Sequence, residues 1–297
     1  MKLLLVLNPK AAHGRARQMI PQIEREMASA GIEAKMLCTG RPGHAEELVR
    51  DARVELYDGI AAAGGDGTLF ESLNGLMSHP PGARPPLGLV PLGTGNAFSR
   101  DIELAPGHWR EGIAQIARRK TRKVDVGLIT TGPERLHFLN IAGIGFVTEA
   151  GKTSARLKFA GRMAYSLGTL WQCLRLQSYR LHIMVDGHEI RQDSLFLEVS
   201  NSRYTGTTFL IAPGARINDG LLDVVLVSKL SRRRLVRLFP SIYSGTHVEH
   251  PEVTVLQARI IEILAPANLG LMVDGERRSC TPARIECLPG AIEMFAG

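Results

Sequence analysis

The stretch Gly64-Gly65-Asp66-Gly67-Thr68 decides the fold class of the first part of this chain. It follows an apolar run at residues 59–63 that predicts a buried strand, and it precedes a helical pattern at residues 69–76. A strand, a glycine turn and a helix N-terminus together present backbone N–H groups to phosphate oxygens, and glycine lets a phosphate approach closely. A carboxylate among such glycines would repel phosphate unless it binds Mg²⁺ or takes a proton. The pattern around Asp66 therefore predicts phosphate chemistry.

Short apolar runs and helix-like stretches alternate on both sides of this loop. The predicted strands are Lys2–Leu7, Glu33–Cys38, 59–63 and 87–90, and the predicted helices cover about 15–30, 46–53, a segment from Thr68, and parts of 95–119. This alternation predicts an α/β fold with a parallel, doubly wound sheet.

The pattern changes after about Asp125 to many short strands separated by turn residues. The predicted strands are 136–141, 181–185, 195–199, 222–227, 260–264, 271–273 and 285–288, with helices near 156–176 and 231–243. Runs of this kind predict an antiparallel β-sandwich. We therefore expect an α/β domain at residues 1–125 and a β-sandwich domain at 126–297, with a last strand that can return to the first domain.

Composition agrees with two compact units. The chain has 297 residues, of which 44% are hydrophobic and 22% are charged, so a sizeable core is expected. No window holds 18 uncharged apolar residues, and the N-terminal run lacks a signal-peptide pattern, so we expect a cytoplasmic location. The four cysteines form no CxxC pair, which favours reduced thiols over a disulfide framework or a zinc site.

Positive charge is concentrated in two segments. The net charge is +7, and the stretch 151–180 holds six basic residues and no acidic one. An apolar stripe runs through residues 157–174, so this stretch is either a helix packed on the core or a basic amphipathic helix at an anionic membrane. The segment 229–238 is a second basic candidate. We expect phosphate-rich partners and no nucleic acid.

Five motifs, in order along the chain, resemble those of one enzyme family. The string GGDGTLFESLNGL at residues 64–76 resembles the nucleotide-binding signature of the diacylglycerol kinase catalytic-domain family, which includes sphingosine and ceramide kinases. The other matching segments are Asn8-Pro9, PLGTGN at 91–96, INDGLLD at 217–223 and VDGE at 273–276. The resemblance spans nearly the whole chain. No Walker-type P-loop sequence occurs.

The resemblance implies that ATP binds to the first domain and a lipid to the β-sandwich domain. The residues expected to contact the nucleotide are Asn8, Pro9, Lys10, Thr39, Gly64, Gly65, Asp66, Gly67, Thr68, Glu71, Gly93, Thr94 and Asn96. Two departures from the family pattern stand out. The loop after Pro9 carries an insertion-like Lys10-Ala11-Ala12-His13-Gly14, and Ala97 stands where many members have aspartate.

Two acidic residues are the candidates for catalysis. By the resemblance, Glu276 is the expected general base, and it follows an Asp274-Gly275 dipeptide that predicts a tight hairpin turn. Asp66 competes for that role and otherwise helps to hold the catalytic Mg²⁺. The resemblance also implies a structural Mg²⁺ bound by Asp219 and the carbonyls of Arg216 and Leu221, while an ordinary Asn-Asp-Gly turn is the alternative.

The sequence thus predicts a lipid kinase that uses ATP and Mg²⁺. The acceptor is a hydroxyl of a lipid such as diacylglycerol or a sphingoid base, reached at an anionic membrane surface by a peripherally associated enzyme. A homodimer is an assembly that the sequence leaves open. An NAD kinase-like enzyme is one alternative, although its Asn-Glu pair and Gly-Ser-Thr-Ala-Tyr string are missing. The altered first loop and Ala97 leave a catalytically silent lipid-binding protein as the other.

Overall fold

The computed structural model describes residues 1–93, 95–145, 177–206 and 208–297. These residues form two compact units. The first contains Met1–Val126 and Leu288–Gly297, and the second contains Gly127–Cys287. The helix predicted near 156–176 lies outside the described residues.

Parallel strands and helices alternate in the first unit. Its strands are β1 (Lys2–Leu7), β2 (Glu33–Cys38), β3 (Gly59–Gly64) and β4 (Leu87–Pro91), and its helices are α1 (Ala16–Ser29), α2 (His44–Arg50), α3 (Asp66–Met77) and α4 (Trp109–Ala117). Short 3-10 turns lie at Ala12–Gly14, Val54–Leu56, Pro81–Ala83 and Phe98–Ile102. The strands pair in the order β4-β3-β1-β2 and all run parallel, as the alternation predicts.

The middle strands of this sheet are almost wholly buried. Every residue of β3 and the last five residues of β1 are buried, because a parallel sheet is covered on both faces by its crossover helices. Helix α1 adds Ile23 and Met27 to one of these faces, together with Ile113 of α4. This packing fixes where the two central strands end, and therefore where the loops that follow them begin.

The second unit consists mainly of antiparallel strands. They are β5 (Thr121–Thr131), whose first residues belong to the first unit, β6 (Glu134–Phe138), β7 (Ile141–Gly145), β8 (Tyr179–Val185), β9 (His188–Ser200), β10 (Tyr204–Thr205), β11 (Phe209–Leu210), β12 (Leu222–Ser228), β13 (Val253–Ala258), β14 (Ile260–Ala265), β15 (Gly270–Val273), β16 (Glu276–Cys280) and β17 (Ala283–Phe295). Two helices, α5 (Arg232–Leu238) and α6 (Ser241–Ser244), and a 3-10 turn at Thr246–Glu249 lie between β12 and β13.

The strands of this unit pair in the order β16-β15-β7-β9-β8-β14-β17, and β12 joins β9 to β13. Strand β17 begins in this unit and ends in the first, where Met294 pairs with Leu87 of β4 in parallel. The last strand of the chain thus contributes to both units.

Two predicted elements differ from the structure for clear physical reasons. The strand predicted at 136–141 is wrong, since it is divided into β6 and β7 by a turn at Leu139 and Asn140 whose amides bond to a side chain. The single helix predicted over 231–243 is also wrong. It ends at Leu238, because Pro240 has no N–H to continue the hydrogen-bonding pattern. Among the described residues, no helix is both long and apolar enough to span a bilayer.

Candidate functional site

Three loops of the first unit begin at one edge of its sheet. Because β1, β3 and β4 are parallel, their carboxyl ends share that edge, with Leu7 opposite Ala63 and Gly64 opposite Pro91. Backbone bonds extend the pairing beyond the strands. The N–H of Asn8 donates to the carbonyl of Ala63 at 2.9 Å, and the N–H of Thr39, after β2, donates to Leu7 at 2.9 Å. The predicted nucleotide residues on these loops are thereby brought to one place.

Two glycine-rich loops, the first with Gly64 and Gly65 after β3 and the second with Gly93 and Asn96 after β4, touch through their backbones. A Cβ atom built on Gly93 would lie 2.4 Å from the Cα of Gly65, which is far closer than real Cβ atoms approach other atoms. The N–H groups of Leu92 and Gly93 both donate to the carbonyl of Gly64 at 2.9 Å. A side chain at position 93 would clash with the backbone of Gly65, so this position has a structural reason for glycine. Together the two loops form a cradle with little side-chain bulk.

The side chain of Asn96 is buried beside this contact. Asn96 is 1% exposed, and its backbone has a φ of +48° in the left-handed region that asparagine tolerates. Its Oδ1 would lie 2.6 Å from a Cβ on Gly93. Neither Oδ1 nor Nδ2 has a hydrogen-bond partner among the described residues. A buried amide without hydrogen-bond partners destabilises the folded protein. Such a group is expected where a bound ligand supplies the missing hydrogen bonds.

Asp66 begins helix α3 and holds the second glycine-rich loop. Its Oδ1 accepts a hydrogen bond from the N–H of Ala97 at 2.7 Å. Burial raises the pKa of the Asp66 carboxyl above its ordinary value, whereas hydrogen bonds from the amides of Ala97, Asn96 and Phe98 act in the opposite direction. Asp66 therefore links the two loops in addition to the metal or proton role that the sequence predicts for it.

Several predicted contact residues have structural partners in their own loops. The Oδ1 of Asn8 accepts the N–H of Lys10 at 2.9 Å, which closes the turn that begins at Pro9. The side chain of Lys10 is exposed. Thr68 packs on Gly64, where a Cβ would lie 2.3 Å from its Oγ1. Gly67 lies in the first turn of α3, and Thr94 lies outside the described residues.

Glu71 has a structural role that the sequence did not reveal. Its two carboxylate oxygens accept the N–H groups of Gly43 at 2.8 Å and Ala45 at 3.0 Å. These amides lie at the N-terminus of α2, where the first N–H groups of a helix have no intrahelical partner. Glu71 thus fixes α2 on α3. Its predicted contact with nucleotide stays a prediction.

In the second unit, Glu276 stands on a tightly held hairpin. Asp274 and Gly275 connect β15 to β16, and their φ values of +46° and +89° are those of a two-residue type I′ turn. Glu276, the first residue of β16, is exposed, whereas Asp274 is only 8% exposed. The tight turn is as predicted, but the buried state of Asp274 is not evident from the sequence.

Asp274 bonds to three successive backbone amides. Its Oδ2 accepts the N–H of Leu139 at 3.0 Å, and its Oδ1 accepts the N–H groups of Asn140 and Ile141 at 2.9 Å each. The same turn is held from the other side by Asn201, whose Nδ2 donates to the carbonyl of Leu139 at 3.0 Å. These residues fix the position of Glu276. The only sequence signal for them is Asn140, a polar residue inside an apolar run.

The predicted structural metal site lies in the loop before β12. Asp219 is exposed, and its Oδ1 accepts the N–H of Leu221 at 3.1 Å, as in an ordinary Asx turn. Burial raises the pKa of the nearby Asp223 to about 6, and the charge of Asp219 contributes in the same direction. Two carboxylates that repel each other fit a site for a cation. The carbonyl ligands predicted at Arg216 and Leu221 stay predictions.

Comparisons with known proteins agree with these two units. Residues 2–129 match the family model described as diacylglycerol kinase catalytic domain, and residues 141–296 match the YegS C-terminal NAD kinase beta sandwich-like domain. A diacylglycerol kinase of Staphylococcus aureus (strain bovine RF122 / ET3-1) is 30% identical over 296 residues, which cover 98% of this chain and 91% of the relative. One of Staphylococcus carnosus is 29% identical over 293 residues, covering 98% and 94%.

Solved structures show the same architecture. A crystal structure of a diacylglycerol kinase from Bacillus anthracis str. Sterne has a TM-score of 0.76 and 25% identity, covering all of this chain and 97% of that one. An NAD kinase from Archaeoglobus fulgidus in complex with ATP has a TM-score of 0.54 and 16% identity, covering 99% and 93%, and it shares the fold alone. The predicted fold class, an α/β unit with a C-terminal β-sandwich, is confirmed.

The predicted resemblance is confirmed as well. Two family models match consecutive parts of the chain, and full-length relatives reach 30% identity. The prediction that the chain is a lipid kinase, a phosphotransferase with ATP as phosphate donor, is supported by the same matches. The chain belongs to the diacylglycerol kinase family.

Proposed function

We propose that this enzyme transfers the γ-phosphoryl group of ATP to a hydroxyl group of diacylglycerol, and that it requires Mg²⁺. The acceptor follows from the names of its relatives, each a diacylglycerol kinase matched along nearly its whole length. A sphingoid base stays the second acceptor to test. The donor site is proposed at the two glycine-rich loops of the first unit.

One observation carries the donor site. The buried amide of Asn96 has no partner among the described residues, and it lies where Gly65 and Gly93 meet. Glycines at a helix N-terminus leave backbone N–H groups and space for phosphate oxygens. A phosphate placed there would bond to the Nδ2 of Asn96 and remove its desolvation cost. The exposed Lys10, at the same sheet edge, can add a positive charge.

The residues at this edge also fit a magnesium ion. Asp66 offers a carboxylate and Asn96 an amide oxygen, and oxygen ligands of this kind suit Mg²⁺. When bound, Mg²⁺ would neutralise negative charge on the phosphates. The residues of the chain hold and orient the nucleotide, and the hydrogen bond from Ala97 keeps the Asp66 carboxylate in place. A structural Mg²⁺ at Asp219 is proposed because the charge of Asp219 acts on the nearby Asp223.

Glu276 is proposed as the base that takes the proton of the acceptor hydroxyl. It is exposed at the end of a rigid turn, so its carboxylate is accessible while its backbone is fixed by Asp274. Asp66 is the weaker candidate, because its Oδ1 already accepts a backbone amide. General-base groups of this kind typically contribute about 10²-fold to 10⁴-fold in rate.

The enzyme is proposed to work at an anionic membrane, because its acceptor is a lipid and its net charge is +7. Of the acid-free stretch 151–180, which the sequence assigns either to a helix packed on the core or to a helix at the membrane, residues 151–176 lie outside the described residues, and Arg180 lies in β8. A homodimer stays a prediction. Sedimentation at several protein concentrations would test it by giving the mass of the protein in solution.

Transfer of label from γ-labelled ATP tests the function. Purified protein would be incubated with diacylglycerol, a sphingoid base, ceramide and NAD in mixed micelles, with Mg²⁺ or with a chelator. We expect label in phosphatidic acid only when Mg²⁺ is present. Label in another phosphorylated lipid would show that the acceptor is not diacylglycerol, while the assignment as a lipid kinase would stand. Label in NADP would favour an NAD kinase, and no label in any acceptor would favour a silent lipid-binding protein.

A further inference from the structure

The segment between β12 and β13 carries unusually one-sided charge. From Lys229 to Val248 there are five lysine or arginine residues and no aspartate or glutamate. Arg234 forms an ion pair with Glu252. In the described part of the chain no acidic group lies within ion-pair distance of the other four, which are Lys229, Arg232, Arg233 and Arg237. These four charges are exposed and uncompensated locally.

The same segment exposes apolar side chains beside these charges. Arg233, Val236, Pro240 and Tyr243 follow one another at spacings of three, four and three, and all are exposed. Val236 is 39% exposed and Tyr243 is 38% exposed, so both are among the few large apolar residues on the described surface. We call the set of Lys229, Arg232, Arg233, Val236, Arg237, Pro240 and Tyr243 the basic face.

The opposite side of the segment anchors it firmly. Leu238 and Phe239 are buried in an apolar cluster with residues of β9, β11 and β12. Tyr243 contributes to both sides, because its ring packs edge-on against Phe209, with 5.1 Å between ring centroids, and against Phe239 at 6.1 Å, while 38% of the residue stays exposed on the basic face. Ser231 caps the N-terminus of helix α5, and its Oγ accepts the N–H of Arg234 at 3.4 Å. The basic face is therefore presented by a rigid element of the second unit.

Three explanations of such a face can be compared, and two of them involve a partner. A charge run on a solvated helix needs no partner, but it does not explain exposed valine and tyrosine in the middle of the run. Nucleic acid binds basic residues through its phosphates, with a salt dependence that charge alone explains. An anionic bilayer satisfies both features, since arginines bind lipid phosphates while valine and tyrosine enter the interface.

We propose that the basic face docks this enzyme on an anionic lipid bilayer. The proposal rests on the proposed function, because a kinase of diacylglycerol must reach a substrate that resides in the bilayer. The arginines supply attraction that salt screens, and Val236 and Tyr243 supply apolar contact that salt does not weaken. The face shares no residue with the glycine-rich loops or with the Glu276 hairpin, so docking and catalysis can be tested with different variants.

Vesicle sedimentation tests the proposal. The variant Arg232→Gln/Arg233→Gln/Arg237→Gln would be compared with wild type on vesicles of phosphatidylglycerol and phosphatidylcholine. We expect about 100-fold weaker binding at low salt, from the usual contribution of three near-surface basic residues. The matched control is Arg118→Gln/Arg119→Gln/Lys120→Gln, which removes the same charge from three exposed residues of the first unit. It should bind within about threefold of wild type, and both variants should keep the thermal unfolding midpoint of wild type.

A second variant separates apolar contact from charge. Val236→Gln should weaken binding about fivefold to tenfold, and this ratio should stay constant as salt is added. Turnover of a short-chain diacylglycerol without vesicles should equal that of wild type for all these variants. If wild type phosphorylates no lipid, the proposed function fails, while vesicle binding still decides the docking surface. Equal vesicle affinity of wild type and the arginine variant would overturn the proposal. Binding of both proteins to duplex DNA would be measured as well. If the arginine variant lost DNA binding and kept vesicle binding, the basic face would be assigned to nucleic acid and the proposal would be overturned.

Discussion

The Oδ1 atom of Asp66 lies 2.7 Å from the backbone nitrogen of Ala97, so the carboxylate of the first glycine-rich loop holds the second. Ala97 stands where many members of the diacylglycerol kinase family have an aspartate. In this chain the position contributes its backbone N–H to the site. The two glycine-rich loops are therefore linked twice, by the close approach of Gly93 to the backbone of Gly65 and by the carboxylate of Asp66.

The contact between the glycine loops predicts that Gly93→Ala is destabilising. The added methyl group would meet the backbone of Gly65, which cannot move aside as a flexible side chain can. We expect a loss of about 1–3 kcal/mol in the free energy of unfolding, measured by urea denaturation. Gly82→Ala is the control, because a Cβ there meets no atom within 4 Å. Equal stability of the two variants would show that the loops do not touch.

The unpartnered amide of Asn96 predicts a separation between stability and binding. Asn96→Gly keeps the positive φ accessible and removes the buried polar group, so the free energy of unfolding should change by less than about 1 kcal/mol. The rise in unfolding midpoint on addition of ATP should shrink strongly. Asn268→Gly, at an exposed position with a φ of +59°, should respond to ATP as wild type does. An unchanged ATP response in Asn96→Gly would remove Asn96 from the site.

The sequence predicted the site at the glycine-rich loops better than the hairpin that carries Glu276. The glycine motifs at the ends of parallel strands follow from local pattern, because such strands bring their carboxyl ends to one edge. The role of Asp274 depends on bonds to a turn more than 130 residues earlier, and no local pattern reports them. The cap that Glu71 places on α2 was missed for the same reason. The end of α5 before Pro240, by contrast, had a local signal in the proline, which the predicted helix over 231–243 did not take into account.

The hydrogen bonds of Asp274 predict that Asp274→Asn impairs catalysis through position. An amide cannot accept all three backbone N–H groups, so we expect a loss of about 1–3 kcal/mol in stability and a fall in kcat with little change in KM for ATP. Asp186→Asn is a close control. Asp186 also begins an Asp-Gly hairpin and accepts the amides of Arg259 and Ile260, but it carries no candidate catalytic residue. If both variants kept wild-type kcat, Asp274 would not position Glu276.

Buried Glu198 predicts a pH-dependent stability. It is 0% exposed on β9, its strand neighbours are Gly143 and Val225, and its Oε2 has no partner among the described residues. Burial raises the pKa of its carboxyl to about 8. Between the unfolded pKa, about 4.5, and this value the native state holds a proton that the unfolded state has lost, so stability falls as pH rises.

The slope attributable to Glu198 is at most about 1.4 kcal/mol per pH unit. Urea denaturation of wild type and Glu198→Gln between pH 5 and 9 would measure it. We expect the stability of wild type relative to the variant to decline up to about pH 8 and to level off above that value. Parallel curves for the two proteins would mean that Glu198 titrates near its ordinary pKa.

The central claim is that phosphoryl transfer takes place at the glycine-rich loops. The rate of γ-phosphoryl transfer by the variant Asp66→Asn tests this claim most directly. The change is nearly isosteric and can keep the bond from Ala97, but it removes the negative charge that metal or proton handling needs. With diacylglycerol in mixed micelles and saturating ATP and Mg²⁺, turnover should fall by about 10²-fold or more while the thermal unfolding midpoint stays near that of wild type. Asp51→Asn, at an exposed position in the same unit, should keep full turnover. Near-normal turnover of folded Asp66→Asn would contradict the assignment of phosphoryl transfer to the glycine-rich loops.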